Sequence, residues 1–425
     1  MEVLLLEKMN VLYIHTHDSG RYFEPYGYKV PTPNIMELAQ EGTLFRQAFC
    51  AAPTCSPSRA ALLTGRYPHS VGMLGLAHMG YELNDYKQHL ANFLKREGYE
   101  TTLSGIQHVA HRADEIGYDQ IFEFIGVDKM EECKNKKERD IENAKSVVEY
   151  LKSDRDKPFF LSYGMVNTHR AFPDVDNDVI DPNYVKPPFP MYDNENNRRD
   201  MAKYIKSAKI ADDCIGMIMD ALKETGLDKN TIVIFTTDHG IAFPKMKCTL
   251  YDSGTGVSLI MNYPDNKMNG RVIDDLVSHV DIFPTLCEIL DIEKPECLEG
   301  ESILPLLEGK EEKIREEVFS EVTYHADYEP MRAIRTERYK YIKYFDDKEK
   351  YLPENMDYGL SRNFYNHNGY FDLKRPKEEL YDLYLDPVER VNLVDEKKYS
   401  DIYNKLSGRL KKWMIETADP LLENF

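Results

Sequence analysis

The chain has 425 residues, 42% of them hydrophobic, and a formal charge of −19. That length accommodates a large core plus a smaller second unit, and that composition excludes a disordered chain. The acidic balance excludes a nucleic-acid binder, whose footprint is basic. It leaves an anionic substrate open, because a few local cations govern a pocket within one Debye length.

Taken in order, apolar runs of strand length alternate with segments of helical period. Val11–His15 reads as a strand, and Asn34–Glu41, opening with Thr32-Pro33, as a helix. Tyr86–Glu97, stopped at Gly98, reads as a helix before the strand Thr101–Ser104. Then come a helix at Ile141–Lys152, a strand at Phe159–Met165, a long helix from Arg199 to Thr225, and strands at Thr231–Thr236 and Val257–Met261. Residues 173–198, rich in Pro, Asp and Asn, read as a long surface loop near the site. This alternation predicts an α/β domain with a largely parallel central sheet. After Leu307-Glu308-Gly309 the texture changes to short strands (Val318–Thr323, Met331–Thr336, Tyr339–Lys343) and a closing helix from about Lys398 to Glu416. The expected division is a larger domain over 1–310 and a smaller α+β subdomain over 311–425.

Cys55-Ser56-Pro57-Ser58-Arg59 runs directly into Ala60-Ala61-Leu62-Leu63-Thr64-Gly65-Arg66. Pro57 lies in the first turn of a predicted helix, and Gly65 is its stop signal. Backbone N–H groups at such a start favour an anion, and Arg59 adds a fixed positive charge. Read alone, Cys55 is better served by a buried thiol opening an ordinary helix; the full twelve-residue string reverses that reading. Four predicted strands also end in polar groups: His15-Thr16-His17-Asp18, Gly105-Ile106-Gln107-His108, Asn167-Thr168-His169-Arg170 and Thr237-Asp238-His239-Gly240. Ligands of parallel α/β sheets sit beyond the carboxyl ends of the strands, so these four tails and Cys55 are expected on one edge. His17, Asp18, Asp238 and His239 make a plausible four-ligand site for one divalent ion. Lys247 clamps an anionic oxygen in this reading and is a solvated lysine if read alone.

The twelve-residue string closely resembles the signature of the sulfatases, in which this cysteine is oxidised after synthesis to formylglycine, whose hydrate is the nucleophile. The likeness covers nearly the whole chain. Asn10–Asp18 is similar to the family's first metal strand, Phe159–His169 to the strand delivering the leaving-group histidine, and Thr236–Gly240 to the second metal motif. Lys247 with Tyr251 matches the lysine-x-x-x-tyrosine element. Gly72-Met73-Leu74-Gly75-Leu76, Gly240–Pro244, Pro330-Met331-Arg332 and Trp413–Pro420 look like the N-sulfoglucosamine sulfohydrolase (heparan sulfamidase) branch. The resemblance implies an alkaline-phosphatase-like three-layer α/β domain with a small C-terminal antiparallel sheet and helix. It implies hydrolysis of a sulfate ester or sulfamate on a small sugar, as in heparan-type glycosaminoglycan degradation. Residue by residue, Cys55 as formylglycine attacks sulfur, steadied by Arg59 and the metal, and Asp238 also takes the attacking proton. His169 and Lys247 hold the sulfo group and protonate the leaving atom, and His108 takes the proton that expels sulfate. Arg332 and His325 are candidate sugar contacts from the smaller domain. Calcium is the ion the resemblance implies, and a formylglycine-generating or anaerobic sulfatase-maturating enzyme is the implied partner; a homodimer is compatible with it.

Two departures stand out. His17 replaces the first metal aspartate, and His239 stands where many relatives carry asparagine, so two Asp with two His form a softer set that admits manganese or zinc. Ile106 replaces the family's sulfate-binding lysine, leaving Gln107, His111 or Arg170 to compensate. Alternative readings are a phosphonate or phosphate ester hydrolase of the same superfamily and a non-catalytic metal- or glycan-binding relative. The seven cysteines, at 50, 55, 133, 214, 248, 287 and 297, include no C-x-x-C pair. Together with a start, Met1–Glu7, that lacks a secretory pattern, and the absence of any run near the roughly 20 apolar residues of a bilayer span, they point to a bacterial cytoplasmic protein.

Overall fold

The structure is a computed structural model that describes residues 8–122, 136–175, 180–264 and 266–425; Met1–Glu7 and Cys133 lie outside the described residues. The main sheet contains β1 (Asn10–Thr16), β2 (Thr43–Phe49), β3 (Glu100–Gly105), β4 (Gln120–Phe122), β5 (Phe159–Gly164), β6 (Thr231–Thr237), β7 (Leu259–Asn262) and β8 (Arg271–Ser278). Their order is β4-β3-β5-β1-β6-β7-β2-β8. β7 runs antiparallel to both β6 and β2, and the other pairs are parallel.

The strands read as unbroken apolar runs because both faces are covered. Along β1, Val11 and Tyr13 enter one core while Leu12 and Ile14 enter the other; along β6, Ile232 and Ile234 oppose Val233 and Phe235 in the same way. Helices Cys55–Thr64, Leu90–Arg96 and Ile282–Ile289 cover the first face, and Pro33–Glu41, Lys136–Lys152 and Glu195–Glu224 cover the second. The result is a three-layer α/β domain. No helix among the described residues is long and apolar enough to cross a membrane.

β9 (Glu317–Tyr324), β10 (Tyr328–Thr336), β11 (Tyr339–Tyr344) and β12 (Glu378–Asp382) form a second, antiparallel sheet in the order β12-β11-β10-β9. Helix Ser400–Glu416 lays Leu406, Leu410, Trp413 and Met414 over Ile334, Tyr341 and Leu380, and the same cluster takes in Ala61 and Tyr67 beside the Cys55 helix. β9 is tied to the chain just before Cys55: Glu321 N–H donates to Ala51 O at 2.8 Å, and Ser320 Oγ to Cys50 O at 2.7 Å. The small sheet thereby becomes a wall of the site.

The sequence-derived strands at β1, β3, β5 and β6 hold to within about two residues of their ends. The predicted helix Tyr86–Glu97 is broken at His89, whose extended backbone (ψ 137°) and ring cap a shorter helix, Leu90–Arg96; its Nδ1 accepts from Ala91 N–H at 3.1 Å. β2 and β8 lack a clean period because Arg46 and the Asp274–Asp275 pair face outward near the sheet edge.

Candidate active site

The carboxyl ends of β1, β3, β5 and β6 meet at one edge, and the turn after β2 brings in Cys55. Cys55 starts a helix whose ten residues are all buried, and Gly65 ends it in the left-handed conformation (φ 64°). Burial pushes the Cys55 thiol well above its ordinary pKa, with Lys247 opposing. An unmodified Cys55 is therefore a neutral thiol, unsuited to thiolate chemistry.

Asp18 and Asp238 form the centre of the cluster. Asp18 N–H donates to Asp238 Oδ1 at 2.8 Å. His17 Nδ1 lies 2.8 Å from Asp18 Oδ1 and 3.2 Å from Asp238 Oδ2. Arg59 Nη2 donates to Asp238 Oδ2 at 2.8 Å, and its Nη1 donates to His15 Nδ1. Lys247 Nζ donates to Asp18 Oδ2 at 2.9 Å. Burial by itself would raise both carboxyls; the Lys247 ammonium opposes it at Asp18 and the Arg59 guanidinium at Asp238, and both carboxyls are held below the usual range and stay ionised. The Asp18 charge in turn holds Lys247 well above its usual range against burial.

Three imidazoles are kept neutral. Burial lowers His17, lowers His108 well below its ordinary range, and brings His169 to about 3. His17 Nε2 faces His108 Nδ1 at 3.3 Å, and His169 Nε2 stands 3.9 Å from Asp18 Oδ2. Asp18 (φ 54°) and His108 (φ 59°) adopt the left-handed region, at a cost of about 1 kcal/mol each that the surrounding packing sustains. The loop carrying His169 is pinned by Asp140, whose carboxylate accepts from Val166 N–H, Asn167 N–H and Asn167 Nδ2 at 2.8, 2.9 and 2.7 Å.

The donor set fits a divalent cation. His239 Nδ1 contacts Gly240 O at 3.0 Å, and because a carbonyl only accepts, that nitrogen carries the proton. The lone pair is then on Nε2, which is buried, has no hydrogen-bond partner, and faces Asp18 Oδ1 at 3.3 Å and Asp238 Oδ2 at 3.8 Å. A lone pair opposed to two carboxylates is unfavourable unless positive charge lies between them. Ligand atoms of Asp18, Cys55, Asp238 and His239 lie within 4.8 Å of one another, as do those of His17, Asp18, Cys55 and His169.

Four other sequence candidates have different placements. Arg170 is bidentate to Asp200 (2.9 and 2.7 Å), with Nε on Ala242 O, and so is not a free sulfate clamp. Gln107 folds onto its own loop, bonding Val109 N–H, Ala110 N–H and Ala110 O. Arg332 is fully buried against Asp419 (2.6 Å) and Val322 O (2.8 Å), which makes it a structural residue rather than a sugar contact. His111 is on the surface. Ile106 packs on Val166. His325, by contrast, is buried and close enough to feel Lys247 and Asp357; burial brings it to about 3.

Sequence reasoning gave no role to three residues. His15, named only as part of the first polar tail, holds Arg59. His279, after β8, contacts Thr236 Oγ1 at 3.0 Å and Ser58 Oγ at 3.4 Å; it follows a strand that was not recognised. Asp357 Oδ2 lies 3.3 Å from Lys247 Nζ and had no local signal, being one acid in an irregular loop.

The model of the family described as Sulfatase matches residues 9–292. The chain belongs to the sulfatase family. A second model, N-sulphoglucosamine sulphohydrolase, C-terminal, matches residues 239–374. An ulvan-active sulfatase of Formosa agariphila is 32% identical over 432 residues, covering 98% of this chain and 82% of that protein. The human N-sulphoglucosamine sulphohydrolase is 28% identical over 468 residues, covering 97% and 91%. In fold, the chain is similar to BT1596, a 2-O GAG sulfatase, with a TM-score of 0.75 at 24% identity over 97% of this chain and 93% of that one. The chain is thus a sulfuric ester hydrolase by family, with the alkaline-phosphatase-like architecture of sulfatases.

Proposed function

We propose that this sulfatase is formylglycine-dependent and removes a sulfate ester or sulfamate from a sugar. The observation carrying this reading is the meeting of Cys55, at a helix start, with two ionised carboxylates and an orphaned imidazole nitrogen. The similarity to N-sulphoglucosamine sulphohydrolase over both segments of the chain supports N-sulfoglucosamine of heparan-type glycans as the substrate class.

Once in place, formylglycine made from Cys55 supplies a hydrated aldehyde as nucleophile, and a divalent cation held by Asp18, Asp238, His239 and His17 supplies positive charge for the sulfo oxygens. Calcium follows from the family; the two imidazoles favour manganese or zinc as competitors. The remaining work falls to side chains. Arg59, locked by Asp238 and His15, fixes the charge beside residue 55. Lys247 binds a sulfo oxygen in place of the cation missing at Ile106. Lys247, kept charged by Asp18, holds the proton for the departing oxygen or nitrogen, and neutral His169 stands beside it with Nε2 towards the site. His108, neutral and set by His17, takes a proton on the nucleophile side when sulfate leaves. His325 reaches the sugar.

The test is a panel of sulfate, sulfamate, phosphodiester and phosphonate substrates, run on chain co-expressed with a maturating enzyme. Highest kcat/KM on a sugar sulfate or sulfamate supports the reading; highest kcat/KM on a phosphonate replaces it with the phosphonate hydrolase alternative.

A further inference from the structure

The site has one wall that the chemistry above does not use. Side-chain exposure rises from Asp18 (0%) through Lys247 (3%) to Asp357 (21%), and the next residue, Tyr358, is an exposed ring, so Asp357 is on the solvent side of the cluster. Asp357 Oδ2 is within ion-pair distance of Lys247 yet has no aligned hydrogen bond, and His325 Nδ1 beside it has none either. His325 is 8% exposed, and its field reaches Lys247, Asp357 and Asp18. His325 Nδ1 has no hydrogen bond and Asp357 Oδ2 has only the Lys247 charge to compensate it, so a donor–acceptor group arriving between them would complete both.

Both groups are held firmly. Asn355 Oδ1 accepts from Ala326 N–H at 3.1 Å and Asp327 N–H at 2.9 Å, joining the His325 turn to the Asp357 loop. Asn355 Nδ2 in turn donates to Glu329 at 2.9 Å. On the far side, Ser361 Oγ donates to Asp200 Oδ2 at 2.6 Å, the carboxylate already clamped by Arg170. Arg362 lies over the exposed Tyr358 ring, 3.9 Å from its centroid, and stiffens it.

A carboxylate accepts hydrogen bonds and repels anions. It is therefore misplaced for a sulfo oxygen and suited to a donor next to one. A hydroxyl both donates and accepts, which matches a carboxylate oxygen paired with an imidazole nitrogen. We propose that Asp357 is a specificity-determining residue: with His325 it takes a hydroxyl of the sugar ring that bears the sulfo group, while the ring rests on Tyr358. The inference rests on the sulfohydrolase reading and narrows it to polyhydroxylated rings, against aryl or alkyl sulfates.

The experiment is calorimetric titration of the Cys55→Ala chain with glucosamine 2-N-sulfate, glucosamine 6-O-sulfate and 4-nitrophenyl sulfate, with and without Asp357→Ala or Asp357→Asn. A site built to hydrogen-bond a hydroxyl loses strongly when one partner goes, so Asp357→Ala is expected to weaken the tighter-binding sugar sulfate by ~30-fold and 4-nitrophenyl sulfate by less than about 3-fold. Asp357→Asn, which keeps an acceptor and the volume, should lie between wild type and Asp357→Ala. Equal losses on sugar and aryl sulfate would show that Asp357 acts only by holding Lys247 and would overturn the inference, as would no loss, or no sugar binding at all. Turnover by the matured wild-type chain is read separately. Absence of all sulfate hydrolysis alongside the predicted binding pattern sinks the sulfohydrolase reading and leaves the subsite standing.

Discussion

Arg59 and Asp238 are joined by a buried 2.8 Å ion pair that connects the second turn of the Cys55 helix to the end of β6. Ser58 Oγ adds a 2.5 Å bond to Asp238 O, so two successive residues of that helix grip one aspartate. The Cys55 helix and Asp238 are thereby one rigid unit. This is the positioning a reaction dominated by orientation and charge requires.

Cys55→Ala should abolish turnover and leave the fold intact, since the helix it opens is held by Arg59 and Ser58. The matured chain should weigh about 18 Da less than the thiol form at the signature peptide, through loss of H₂S and gain of O. The thiol form, neutral because it is buried, should be inactive. Intact-mass analysis beside a turnover assay checks both, and activity in Cys55→Ala would remove the assigned nucleophile.

Asp18→Ala or Asp238→Ala should each release the bound cation. Either removes one of two carboxylates, and Asp238→Ala also leaves Arg59 buried without its partner. Elemental analysis after gel filtration is the measurement. Metal retained in both variants would contradict the cluster as the binding site.

Arg332→Ala should destabilise the fold by about 3 kcal/mol, because it strands Asp419 in the interior. Chain that remains folded should keep its KM for a sugar sulfate. Chemical denaturation and kinetics separate the two effects; a raised KM with unchanged stability would restore Arg332 as a substrate contact.

Acid should weaken the fold through His89. Burial brings its imidazole from 6.5 down to about 3, and the neutral ring caps helix Leu90–Arg96. Protonation therefore favours the unfolded chain: the contribution is complete above pH 6.5 and is lost as the pH falls towards 3. At pH 5 the loss amounts to about 2 kcal/mol. His89→Asn, which still caps but does not titrate, should flatten the fall of the urea midpoint between pH 6.5 and 5; an unchanged slope would exclude His89 as a source of the acid sensitivity.

Much of this protein was legible locally. The strands β1, β3, β5 and β6 announced themselves because both faces of a covered sheet demand apolar side chains, and their polar tails stood out by contrast. Cys55 with Pro57, Arg59 and Gly65 carried a helix start and stop in twelve residues. Asp18, Asp238 and His239 followed from the rule that strand ends in parallel sheets face the ligand.

Allocation of charge was decided only by the tertiary structure. Arg170, Arg332 and Lys247 look alike in a string. Yet one is spent on Asp200, one on Asp419, and one faces Asp18 across 229 positions of chain. A guanidinium or ammonium bonds whichever carboxylate folding delivers within about 3 Å. That distance is set by packing among distant segments, which periodicity and motif spacing do not encode. For the same reason Asp357 is an ordinary loop acid in the sequence and becomes the rim of a site only where Asn355 and Ser361 fasten its loop.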